Sequence, residues 1–279
     1  LKPKYKLAIE CLAAIVLMVV GKVSLDVIRL PFGITIDMGI ISFIVTFVWI
    51  IGITNAVNLI DGLDGLPGGI CAIILVVIAC MSVVEARLDI ETMSLLLAGS
   101  ILGFLFYNLH PASIFMGDCG ALFLGFIISA ISLLGFKSST IMTLALPILL
   151  LAVPIVDTLG AILRRKLSGH KFNEADKKHL HHLLMQRFGH RNTVLILYIV
   201  TALFGFTAYL YLVNKGTGFL VLFIIAIVVE LFIETSGMIS KQFHPILSII
   251  KGIKKRCLQL YHMIYKKKSQ KEIQNDIQK

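Results

Sequence analysis

The sequence predicts an all-α protein, a polytopic bundle of membrane helices with about eight transmembrane helices in this chain. Three observations carry that expectation. The 279 residues are 57% hydrophobic with a mean hydropathy of +0.91, whereas a soluble domain is about 45–50% apolar. The apolar residues fall into runs near the roughly 20 residues that a helix needs to cross the hydrocarbon core. The basic residues are also divided unequally between the segments that join those runs, as the positive-inside rule expects of a multi-pass protein.

In order, the expected spans are 7–21, 38–54, 67–84, 93–108, 120–136, 139–158, 193–213 and 217–234. Eight crossings leave both ends of the chain on one side. With the start placed inside, residues 1–6 contribute three Lys or Arg, the 159–192 loop eight and the stretch from 235 onward ten, against five on the outside (Lys22, Arg29, Arg87, Lys137 and Lys215). The cytoplasmic side then carries the loops 55–66, 109–119 and 159–192. The expected organisation is a catalytic bundle over 1–234 and a basic cytoplasmic tail over 235–279. The tail's Lys254-Lys255-Arg256 and Lys266-Lys267-Lys268 suit anionic lipid headgroups. Cys11, Cys71, Cys80, Cys119 and Cys257 form no CxxC pair and read as small apolar residues.

The polar chemistry is concentrated in the three inside loops. In the first, Asn55, Asn58, Asp61 and Asp64 recur at intervals of three, which places them near one helical face. Gly62 and Gly65 let the backbone turn and approach a ligand. Two carboxylates and two carboxamides so arranged can hold a hard cation and a diphosphate; the plainer alternative is a hairpin whose Asx residues cap the next helix. Acidic groups kept at a membrane edge favour function. In the second loop, Asp118 lies between Gly117 and Gly120. It is either an N-cap or, being on the same side as Asp61, a Mg²⁺ ligand. Asn108 and His110 read as interfacial polar residues rather than ligands. The third loop carries Arg164, Arg165 and Lys166, then His179, His181 and His182. Without cysteine this is not a zinc-finger spacing; cations here suit a transferring phosphoryl group, although topology alone explains part of the Arg-Arg-Lys run.

At these residues the chain resembles the polyprenyl-phosphate N-acetylhexosamine-1-phosphate transferases, the glycosyltransferase family 4 type that begins teichoic-acid, O-antigen (lipopolysaccharide) and related cell-wall glycans. The phospho-MurNAc-pentapeptide transferase of peptidoglycan is a relative. The motifs are N-x-x-N-x-x-D-G-x-D-G-L at 55–66, F-x-G-D-x-G at 115–120 and H-x-H-H at 179–182. The resemblance implies transfer of a sugar-1-phosphate, commonly GlcNAc-1-phosphate, from a UDP-N-acetylhexosamine to undecaprenyl phosphate. It also implies release of UMP at the cytoplasmic face of a bacterial cell membrane. It implies Asp118 and Asp61 as ligands of Mg²⁺ (with Mn²⁺ as a substitute), and Asp61, Asp64 and Asp118 as the catalytic carboxylates. Asn55, Asn58, Arg164, Arg165, His179, His181 and His182 are the implied substrate contacts. Lys4 or Lys6, with Lys6 preferred, would grip the lipid phosphate. The partners are the two substrates and the bilayer, a homodimer is compatible, and no nucleic acid is expected.

One departure stands out. The family carries an adjacent Asp-Asp pair shortly before a Lys-rich helix start, and no Asp-Asp occurs in this sequence, which opens at Leu1-Lys2-Pro3-Lys4. The expectation is an N-terminally truncated chain from an eleven-span parent, inactive or nearly so by itself. The competing readings are a degenerate relative, the peptidoglycan branch with a different donor, and a transporter. The transporter is disfavoured because the acids sit in loops and not in mid-span.

Overall fold

A computed structural model describes residues 3–29, 35–135 and 180–235. The helices are α1 (Pro3–Val19), α2 (Ile41–Leu59), α3 (Leu66–Val84), α4 (Leu88–Asn108), α5 (Gly117–Gly135), α6 (Leu180–Phe188), α7 (His190–Val213) and α8 (Lys215–Thr235). Helices α2, α3, α4, α5 and α7 are long and apolar enough to cross a membrane. The apolar part of α8, Lys215–Val229, is shorter, and α1 has 17 residues. The expected span 139–158 lies outside the described residues, as does the tail after Thr235. One compact unit runs to Ile225 and a second begins at Ala226.

Between α1 and α2, a stretch expected only to link two spans, β1 (Val27–Arg29) and β2 (Thr35–Asp37) pair antiparallel, with Ile28 opposite Ile36. The hairpin is pinned to the start of α2 by Leu25 N–H donating to Thr46 Oγ1 (2.9 Å) and Ser42 Oγ donating to Asp26 Oδ1 (3.1 Å).

Helix α3 packs against α4 and α7, and α2 packs against α5 and α1. No hydrophobic force drives helices together within lipid, so close approach and polar ties decide the packing. At Gly125 of α5 a Cβ would lie 2.7 Å from Thr54 Cα of α2, so the two backbones meet where only glycine fits. Trp49 Nε1 donates to Ser132 Oγ across the same pair (3.3 Å). The buried hydroxyls of Thr54, Ser82 and Thr201 bond back to the carbonyls of Ile50, Ile78 and Leu197, which satisfies them without water. Large side chains such as Ile40, Leu96 and Phe106 point outward, as suits a lipid-facing surface.

Helix ends set the position of the site. The apolar run of α2 was expected to stop at 54, but the helix continues to Leu59 and takes Asn55 and Asn58 into its last turns. It stops before Asp61. Gly65 then adopts φ +80 and Pro67 opens α3, so Asp61 and Asp64 lie in a connecting turn and not on one continuous helix. Likewise α5 begins at Gly117, with Asp118 in its first turn.

Candidate active site

The start of α1, the α2–α3 turn, the α4–α5 connector and the start of α7 converge at one end of the bundle. From α1, Lys6 Nζ forms an ion pair with Asp118 Oδ2 of α5 at 2.5 Å. Asn58 of α2 adds a polar contact to the same carboxylate. One turn further along α1, Glu10 Oε2 accepts a hydrogen bond from Asn55 Nδ2 (2.6 Å), whose second proton goes to Ile51 O (3.0 Å). The Asp118 side chain is 64% exposed and that of Lys6 24%. At such exposure an ion pair orients groups more than it stabilises the fold.

The turn itself is held from three sides. Asn108, buried at the end of α4, accepts from Gly65 N–H (3.1 Å) and donates to Ile114 O (2.8 Å). His110 Nδ1 lies 2.9 Å from Asp64 Oδ2, and Ala112 N–H donates to the same oxygen (3.3 Å). From α7, His190 Nε2 lies 3.2 Å from Asp64 O, and Tyr198 O–H donates to Gly65 O (2.5 Å). The rings of His110 and His190 stack with centroids 4.1 Å apart. Asp64, His110, His190, Arg191 and Tyr198 border a cavity of about 260 Å³.

The two carboxylates of the turn are pushed in opposite directions. Burial raises Asp61 above the ordinary carboxylate value, and the nearby charges of Asp118 and Asp64 raise it further. The hydrogen bond from His110 lowers Asp64, helped by Ala112 N–H and the imidazole of His190 and opposed by burial. Carboxylates so separated can divide proton-holding from charge-holding duty.

Among the sequence-predicted residues, Lys6 and Asn58 both contact Asp118, and Asp61 lies close enough to feel Asp118 and Asp64. Lys4 is exposed on the first turn of α1. His181 and His182 fall in the first turn of α6. Arg164, Arg165 and His179 lie outside the described residues. The larger apolar groove of about 690 Å³, between α3, α4 and α7, carries none of these groups.

The profile of glycosyl transferase family 4 matches residues 1–136. A probable undecaprenyl-phosphate N-acetylglucosaminyl 1-phosphate transferase of Bacillus subtilis (strain 168) is 42% identical over 263 residues, covering 92% of this chain and 72% of that protein. The chain belongs to glycosyl transferase family 4. Other similar members match over shorter stretches. The decaprenyl-phosphate N-acetylglucosaminephosphotransferase of Mycobacterium tuberculosis (strain CDC 1551 / Oshkosh) is 39% identical over 41% of this chain and 32% of its own length. The phospho-N-acetylmuramoyl-pentapeptide-transferase of Streptococcus pneumoniae (strain Hungary19A-6) is 34% identical over 48% and 40%.

Within this family 4 chain, sequence reasoning passed over Glu10, His190 and Tyr198 and set Asn108 and His110 aside as interfacial. Their contacts correct that view: Asn108 and His110 hold the motif turn in place. Asn108 had a legible signal, an amide at the end of an apolar run. Glu10 and Tyr198 had none, because their partners lie in distant segments.

Proposed function

We propose that this family 4 chain provides the site that transfers an N-acetylhexosamine-1-phosphate, GlcNAc-1-phosphate in the first instance, from a UDP-sugar to undecaprenyl phosphate. The reaction runs at the cytoplasmic face of a bacterial membrane. The observation that carries the reading is the meeting of Lys6, Asn58 and Asp118 beside Asp61, which sets one cation among acidic and amide groups at the mouth of an apolar bundle. The similarity to the B. subtilis protein supports the choice of donor and acceptor.

In the reaction an oxygen of the lipid phosphate bonds to the β-phosphorus of the UDP-sugar. The bond from that phosphorus to the oxygen bridging the α-phosphate breaks, and UMP leaves with that oxygen. Such a transfer is catalysed by positioning and charge neutralisation. Lys6, released from Asp118, holds the lipid phosphate at the membrane edge. Asn55 and Asn58 orient donor oxygens from the last turns of α2. Asp64, kept ionised by His110, fixes the turn. The carboxylates fit Mg²⁺: burial and like charges disfavour ionisation of Asp61, so Asp61 and Asp118 would hold the ion and its charge would offset that repulsion. When bound, the ion neutralises diphosphate charge, since Mg²⁺ is usually held by one or two carboxylates plus substrate phosphates.

The test uses UDP-GlcNAc labelled with ³²P at the β-phosphate, given to the full gene product in detergent with undecaprenyl phosphate. The label is expected to move into the lipid fraction. Label released as free sugar phosphate, with none in lipid, would refute the proposal.

A further inference from the structure

Two histidines and one carboxylate meet where three connectors meet. Asp64 comes from the α2–α3 turn, His110 from the α4–α5 connector and His190 from the first residue of α7. One ligand-type atom from each lies within 4.8 Å of the others. We propose that Asp64, His110 and His190 form a binding site for a zinc-class divalent cation, separate from the Asp118 site, that clasps these three connectors together. The proposal does not rest on the transferase reading.

The distances support it. Ligand bonds of about 2.0–2.1 Å in a tetrahedral site place donor atoms roughly 3.3 Å apart. His110 Nδ1 and Asp64 Oδ2 are 2.9 Å apart, and His190 Nε2 and Asp64 O are 3.2 Å apart. The Asp64 carbonyl is thus available as a fourth donor, and the three side-chain ligand atoms already lie within 4.8 Å of one another. Imidazole nitrogens favour zinc-class ions, whereas Mg²⁺ prefers oxygen donors. The stack, 4.1 Å between centroids with 23° between planes, holds the two imidazoles side by side at Asp64. The adjoining cavity of about 260 Å³ gives an ion a way in. Arg191, which borders the same cavity, opposes a cation, but it is exposed and its field is screened by solvent.

The experiment is a Co²⁺ titration of the untagged, detergent-purified full protein in excess Mg²⁺, followed by visible absorption. The expected result is one equivalent bound with tetrahedral d–d bands and no thiolate charge-transfer band, because the ligand set holds no cysteine; Cys80 and Cys119 are exposed, so a thiolate band would reveal binding elsewhere. His110→Gln and His190→Gln, each made alone, are expected to weaken binding about a hundredfold or more, beyond the effect of an outer-shell change. Asp118→Asn is expected to leave it intact. Zn²⁺ is expected to raise the Tm of the parent protein but not of His190→Gln, because only a folded site gains from its ligand. If one variant fails to fold, the other decides. Equal Co²⁺ binding by the parent and a folded histidine variant, bands from thiolate ligation, or no binding at all would overturn the site.

Discussion

Lys6 on α1 and Asp118 on α5 form an ion pair at 2.5 Å across the mouth of the bundle, while Lys4 on the same first turns is exposed. The two lysines are alike in sequence and differ in placement. Lys6→Ala is therefore expected to reduce turnover by about 10²–10³-fold, the usual loss on removing one preorganised charge stabiliser. It should also raise the KM for the lipid phosphate. Lys4→Ala is expected to stay within a few-fold. Steady-state rates against varied undecaprenyl phosphate check both.

Asp61 should limit both stability and activity through its protonation. Burial, Asp118 and Asp64 hold its carboxyl above the ordinary range. A group raised in this way favours the fold while protonated, and that contribution is lost as pH rises through its folded value. At neutral pH the ionised carboxylate thus opposes folding. Asp61→Asn is expected to raise the Tm at neutral pH while abolishing transfer, and the gain should vanish as pH falls. Thermal scans over a pH series, without Mg²⁺, read the sign directly.

Asp64 behaves in the opposite sense. The His110 hydrogen bond holds it below the ordinary range, so its contribution is present above the unfolded value and disappears as pH falls through the folded one. Removing the partner in His110→Ala is expected to cost about 1 kcal/mol at neutral pH, a charged hydrogen bond discounted for its exposure. Acid unfolding should begin at a higher pH. Denaturation monitored by circular dichroism at two pH values measures it.

Glu10 tests whether α1 is tied to α2 by the Asn55 bond. Glu10→Gln keeps an acceptor for Asn55 Nδ2 and is expected to retain most activity. Glu10→Leu removes it and should lower kcat at least tenfold, because Lys6 lies one turn away on the same helix and small misplacements are costly. Equal kcat values for the two variants, measured at saturating substrates, would count against the tie.

Gly125 sets the approach of α5 to α2. An added Cβ would meet Thr54 backbone at 2.7 Å. Gly125→Ala is expected to destabilise by about 1–3 kcal/mol, the usual range for overpacking, with a lower Tm in detergent.

The bundle was legible because its signals are local: apolar runs, and turns marked by Gly62 and Gly65. The motif residues were legible for the same reason, since Asn55 through Asp64 and the Asp118 block are short and adjacent. Pairings between segments were not. Nothing near Glu10 announces Asn55, and nothing near Tyr198 announces Gly65 O. The end of α2 was misplaced because Asn55 and Asn58 break the apolar run without breaking the helix: their amides find partners in Glu10, Ile51 and Asp118. The β1–β2 hairpin was missed although residues 23–27 and 34–37 alternate apolar with polar, because runs this short are weak signals beside the long apolar spans that flank them.

The measurement that bears most directly on the proposed function is UMP release by the full gene product in detergent, with UDP-GlcNAc, undecaprenyl phosphate and Mg²⁺, beside an Asp118→Asn control. The expected result is release that needs both the lipid phosphate and Mg²⁺ and disappears in the control. Release that survives Asp118→Asn, or no release from folded protein with any UDP-N-acetylhexosamine, would contradict it.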